Sequence, residues 1–282
     1  MPRRWSTIIA ILAVEAFVLL VRTVWDLHLR GSGYDAEMAK DLSYLLVPPL
    51  LVLLLAPVLC ERRRELTRLL DPRRTEARVV LYGFAIGALS RLAWWCTVVL
   101  RGVAHAGGAA GSGPIEVSWA CPASSAVLLA ALVWICLVPF VEETLGRGVI
   151  QSLLEYHGRT FAIAGSAIVF AAYHPPGAMP AALLMGVVFA LLRANSGSLW
   201  PAIAAHAAYD GLTILDWRCL HAQWSPEAGQ ARPVLLAATA LLGFAVCAVA
   251  IARLAVRVKP GPPPATRAAV TSKRFGHPLD DV

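Results

Sequence analysis

Long aliphatic runs separated by short polar segments fill most of the chain, and that alternation confines it to folds built in lipid. Backbone groups in hydrocarbon need partners of their own, so only helices and closed barrels cross a bilayer. The runs are continuous and lack the period-two alternation of a porin-type barrel, which leaves helices. Taking about 20 apolar residues per crossing, eight segments qualify. They run from about Trp5 to Val24, Leu42 to Cys60, Val79 to Leu100, and from Ser124 through the Glu142-Glu143 pair. The others run from about Thr160 to His174, Pro180 to Arg193, Leu199 to Leu215 and Pro233 to Val256. The expected fold is all-α, a polytopic transmembrane bundle of about eight helices.

Charged residues make up 15% of the chain, against about a quarter in soluble domains, and they gather between the apolar runs. The net charge is +7, but its placement argues against nucleic acid as a partner. Arg62, Arg63, Arg64, Arg68, Arg73, Arg74 and Arg78 fall in one short loop, and no recognition motif accompanies them. Basic residues in alternate loops follow the positive-inside pattern. With Arg3 and Arg4 in the cytoplasm, the loop at 61–78, the Arg147–Arg159 segment and the basic tail fall inside. The segments 25–41, 101–122 and 216–232 then fall outside. Trp25, Trp119, Trp217 and Trp224 mark the outer interface, and Trp5 and Trp200 the inner one. Composition rich in Ala, Arg and Leu looks bacterial, so the expected location is a bacterial cytoplasmic (inner) membrane, multi-pass, with both termini cytoplasmic.

The first run carries Glu15 and Arg22 and lacks a clear small-residue cleavage site, so it reads as a retained span rather than a signal peptide. Residues 1–259 read as one transmembrane domain, and the Pro-rich polar stretch 260–282 as a disordered cytoplasmic tail. Gly83 and Gly87 form a small-xxx-small pair suited to close helix packing. None of the six cysteines has CxxC spacing, which disfavours a zinc-ribbon or thioredoxin-like site. Cys121 and Cys219 share the outer side of this topology, where a disulfide is permitted. Two separate thiols are the plainer expectation.

Three polar clusters interrupt the later runs: Glu142-Glu143-xxx-Arg147, Phe170-xxx-His174 and His206-xxx-Asp210. Ionisable groups at bilayer depth are costly unless they pair or face water, which makes each a functional candidate. Residues four apart share a helix face, and Glu before Arg is the favourable order, so Glu143 and Arg147 should pair. Glu142 is left to point elsewhere, in the kind of low-dielectric pocket that tunes a carboxylate toward general-base work near neutral pH. Asp210, one turn from His206, would orient that ring or stabilise its charged form. A base, a histidine to share in activating water, and a second polar pair for a developing oxyanion form a complete set for peptide hydrolysis. No serine or cysteine stands beside a base in an equivalent position, so water is the expected nucleophile.

Those motifs in that order resemble the CPBP intramembrane proteases, which include the type II CAAX prenyl endopeptidases and the bacterial Abi-type proteins. The stretch Gly186–Asp210, with Leu191-Leu192-Arg193 and Ser196-Gly197-Ser198-Leu199-Trp200, is also similar to that family's approach to its last motif. The resemblance covers about 124–215, the protease-like core. It implies an intramembrane glutamic protease, a hydrolase in which Glu142 and His174 activate water. His206 and Asp210 would serve as the oxyanion pair, with Glu143, Arg147 and Phe170 supporting the site. It further implies a membrane-associated peptide or protein as substrate and no cofactor. Asn is common where Asp210 stands, and Asp donates a hydrogen bond only when protonated. Two other readings of the same residues stay open. His174, His206 and Glu142 would suit a zinc-dependent protease with an open fourth position, and a non-enzymatic scaffold or transporter would use the charges as a relay. The spans also set Glu142 toward the inner leaflet and His174 toward the outer, so catalysis requires the fourth helix to continue to about Leu153 and the fifth to tilt.

Overall fold

The computed structural model describes residues 2–106, 115–119, 121, 124–224 and 233–258. The tail expected to be disordered, 260–282, lies outside the described residues. Helices dominate, as expected, and the only β-structure among the described residues is one two-stranded ribbon.

Among the described residues five helices, not eight, are long and apolar enough to cross a membrane: Trp5–Gly31, Ala77–Leu100, Ser125–His157, Met179–Ser196 and Ala237–Arg257. The three other segments fail for separate reasons. The run at 42–60 is broken into α2 (Ala36–Tyr44), α3 (Val47–Leu54) and α4 (Ala56–Glu61). Pro48 and Pro49 open α3 and Pro57 opens α4, where a residue without an N–H is tolerated. The fifth expected span is a helix of 14 residues, Arg159–Ala172, about 21 Å at the helical rise and short of a hydrocarbon core of about 30 Å. The seventh, within Trp200–Cys219, has its apolar run interrupted by His206 and Asp210.

Chain order builds the bundle. Helix α1 (Pro2–Gly31) leads through α2–α4 to α5 (Arg63–Leu69) in the arginine-rich segment, and then to α6 (Ala77–Ala106). After strand β1 (Ile115–Trp119), a nearly continuous helical rod holds α7 (Ser124–Ala131), α8 (Val138–Glu143) and α9 (Gln151–Leu154). The hairpin of α10 (Arg159–Ala172) and α11 (Met179–Ser196) follows, then α12 (Trp200–Cys219), strand β2 (Leu220–Trp224) and α13 (Pro233–Arg257). Helix α6 packs along both α12 and α13, and α11 lies between α10 and α12.

The two ends of the bundle differ. At the arginine-rich end, Gly197 (φ 67°) caps α11 in the left-handed conformation and turns the chain into α12. Ser198 Oγ and the Leu199 N–H donate to Leu69 O, and Trp200 Nε1 donates to Leu70 O. Leu66 reaches Gly148, and Leu69, Leu199 and Ile203 form a small core, so α5 closes this end. Trp5 packs against His157 there with tilted rings, their centroids 5.6 Å apart. At the opposite end β1 pairs antiparallel with β2, from Ile115 opposite Trp224 to Trp119 opposite Leu220. Beside them Cys121 and Cys219 form a disulfide, in place of the two separate thiols expected. The side chains of Trp119, Trp217 and Trp224, read as interface anchors, lie outside the described residues.

Candidate active site

The rod holding α7–α9 supplies the first cluster. Two π-helical stretches, Leu132–Leu137 and Thr144–Ile150, flank the short α8. The first accommodates Pro139, which cannot donate back along the helix. Each widened turn rotates Glu142 and Glu143 relative to the segments on either side, a device common at functional sites. Helical structure continues through Leu154 to a final turn at Glu155–His157. The rod therefore extends past Leu153 as the catalytic reading requires.

Glu143 and Arg147 pair as their spacing predicts. Arg147 Nη1 lies 3.2 Å from Glu143 Oε1, with both side chains wholly buried. Arg147 Nη2 also donates to Gly186 O at 3.1 Å, and its guanidinium sits over the Phe170 ring, 4.4 Å from the centroid. A buried ion pair stands against its desolvation cost only when the remaining hydrogen-bonding capacity is also used. Here that capacity ties the α8–α9 rod to α11 and α10. One turn further on, Gln151 Nε2 donates to Ala190 O, and Arg193 bonds Glu155 and Ser152. The contacts form a ladder from rod to hairpin.

His206 meets the cluster from α12. Its Nδ1 lies 3.0 Å from Glu143 Oε1, the same oxygen that receives Arg147. Glu143 therefore orients the ring, a role the sequence reading considered for Asp210. Asp210 Oδ2 instead lies 3.3 Å from Nε2, and Glu142 Oε2 3.9 Å from that same nitrogen. Phe189 stacks on the imidazole at 4.8 Å with an 18° interplanar angle, and Phe170 meets it edge-on at 5.7 Å. His174 Nδ1 is 2.9 Å from Phe170 O. A carbonyl only accepts, so Nδ1 carries the proton and Nε2 is the nitrogen available as a base.

A cavity of about 730 Å³ is lined by Glu142, Phe170, His174, His206 and Asp210, together with Tyr173 and Tyr209. Glu142 keeps 37% of its side chain exposed, whereas His206 keeps 5% and Glu143 none. The exposed acid thus faces the cavity and the pair behind it is sealed. Every site residue expected from the sequence either lines this space or packs directly behind it. Among the described residues, no three His, Cys, Asp or Glu side chains are arranged to hold a metal ion.

Some of the wall was not foreseen. Phe189 is 1% exposed and fixes the His206 ring from α11; its signal was the spacing Gly186, Phe189, Arg193 along one helix face. Glu15, Arg91 and Trp134 also line the cavity. Glu15 was legible as an ionisable residue inside an apolar run, although nothing in sequence linked it to the distant motifs.

No curated protein matches the chain. Residues 123–212, less than half of the chain, match the family model described as Type II CAAX prenyl endopeptidase Rce1-like, and the matched segment carries Glu142, Glu143, Arg147, Phe170, His174, His206 and Asp210.

Proposed function

We propose that this chain is an intramembrane endopeptidase of the CAAX-protease type that hydrolyses a peptide bond with activated water. Glu142 and His174 Nε2 hold the water and take its proton as its oxygen attacks the scissile carbonyl. The carbonyl oxygen becomes the oxyanion and accepts from His206 Nε2–H, joined by Asp210 when that acid is protonated. Collapse of the tetrahedral intermediate breaks the C–N bond, and the proton held by Glu142 or His174 passes to the leaving amine. Glu143 fixes the His206 ring, while Arg147 and Phe170 hold Glu143 in place.

The observation that carries this reading is convergence. Residues from the α8 rod, the end of α10 and the middle of α12 line one cavity, with Glu142 open to it and the Glu143–Arg147 pair sealed behind. The matched family domain supports the same chemistry. The substrate on this reading is a membrane-associated peptide or protein, and a prenyl group is no part of the proposal. The protein works in a bacterial cytoplasmic membrane as a multi-pass protein with both termini inside, and residues 1–259 act as one unit around the 124–215 core.

Comparing membrane and secreted proteomes of cells carrying the wild type and Glu142→Gln tests the proposal. A processed fragment that disappears with Glu142→Gln, and equally with His174→Ala, is the expected result. Unchanged proteomes with both variants refute it and return the chain to a scaffold or transporter. Cleavage by the purified protein should survive strong chelation; its loss, restored by zinc, would assign the same residues to a metal enzyme.

A further inference from the structure

The side from which the cavity is reached follows from which residues build it. Besides the middle of the bundle, its lining includes the second half of α6 (Arg91, Trp94), the turn after α10 (Pro175, Gly177) and the α2 segment (Glu37, Lys40). Chain direction sets each of these toward the end of the bundle that carries the ribbon and the Cys121–Cys219 disulfide. No lining residue comes from 52–90, 147–168 or 190–205. Those stretches hold the arginine-rich loop and the helix ends beneath it, where α5 is bonded to Ser198, Leu199 and Trp200. The site is closed at the arginine-rich end and open toward the disulfide end.

Two independent features orient those ends in a membrane. Clustered arginines stay in the cytoplasm, and disulfides form and persist in oxidising compartments outside it. Both put the closed end inside and the open end outside. We infer that the cavity takes its peptide from the extracytoplasmic side, so its substrates are exported or membrane-anchored polypeptides that present an apolar segment there. Aliphatic and aromatic side chains form most of the wall, and Glu37 and Lys40 supply charge on the α2 side. The identity of what enters rests on the protease reading; the side of entry does not.

Single cysteines read by a membrane-impermeant maleimide test the side of entry, in a chain whose Cys60, Cys96, Cys136 and Cys247 are replaced by Ala. Gly177→Cys is the main probe, because Gly177 lines the cavity, is exposed and has nothing within 4 Å of an added Cβ. Glu37→Cys on α2 is the second, and Thr67→Cys in the exposed part of α5 is the opposite-face control. In sealed right-side-out membrane vesicles, Gly177→Cys and Glu37→Cys should label as fully as after detergent, and Thr67→Cys only after detergent. Labelling of Thr67→Cys alone before detergent, or of neither cavity probe, overturns the inference. Failure of the protease reading looks different: the cavity probes label from outside while the exported proteome ignores Glu142→Gln.

Discussion

Substituting Gly87 should disable the site from behind. Gly87 lies where α6 crosses α12, and a Cβ built on it falls 1.9 Å from Ala205 O and 2.6 Å from the Ala205 carbonyl carbon. An unstrained carbon–oxygen approach is about 3.3 Å, so Gly87→Ala forces the two backbones apart by about 1.4 Å along that line. The opposing atoms are main chain, and no flexible side-chain tip can yield. Ala205 precedes His206, whose 3.0 Å contact with Glu143 does not survive a shift of that size. Overpacking of this kind costs about 1–3 kcal/mol of stability, and a misplacement near 1 Å lowers a rate by about 10²-fold. Purified protein in detergent should therefore melt at lower temperature and cleave about 10²-fold more slowly. Gly31→Ala, with nothing within 4 Å of its added Cβ, should change neither. A Gly87→Ala protein that melts and cleaves like the wild type would refute the claim that this crossing sets the His206 position.

Further expectations concern the pair behind the cavity and the ring it holds. Glu143→Ala strands Arg147 with no exposure and should destabilise the protein by about 3–5 kcal/mol in chemical unfolding. The double change Glu143→Leu with Arg147→Leu should recover much of that stability without restoring cleavage, because His206 has lost its acceptor. Asp210→Asn should keep the cleavage rate within about tenfold, since an amide donates to an oxyanion, whereas Asp210→Ala should lower it by about 10²–10³-fold; equal losses in kcat would reject a donor at this position. Phe189→Leu keeps an apolar side chain at that position but removes the flat face beneath His206. It should slow cleavage by up to about tenfold, the worth of one aromatic pair, with its melting temperature little changed.

The local parts of the site were legible because helical spacing alone decides them. Glu143 and Arg147 meet along one helical rod, Phe170 and His174 across the C-terminal end of α10, and the structure has both contacts. Reading which nitrogen of His206 faces which acid was beyond the sequence. Asp210 is its neighbour one turn away on α12, yet Nδ1 turns to Glu143 across 63 positions of chain. That choice depends on how α8 and α12 cross, and hence on the close approach at Gly87. Among the described residues, spans were overcounted where apolar content hid other instructions. Prolines divide the run at 42–60, and from its middle onward α12 turns His206, Tyr209, Asp210 and Thr213 to the cavity. The π-helical turns that let the Glu142–Glu143 pair swing round leave only Pro139 and the glycines around Arg147 as a written trace.

The bridge between Cys121 and Cys219 spans 98 positions of chain. Its first thiol emerges before the rod that holds the acids, and its second only after the last histidine-bearing helix has been inserted. Oxidation of this pair is thus a late event in biogenesis. A nascent chain that has closed the ring has already delivered every proposed catalytic side chain to the membrane.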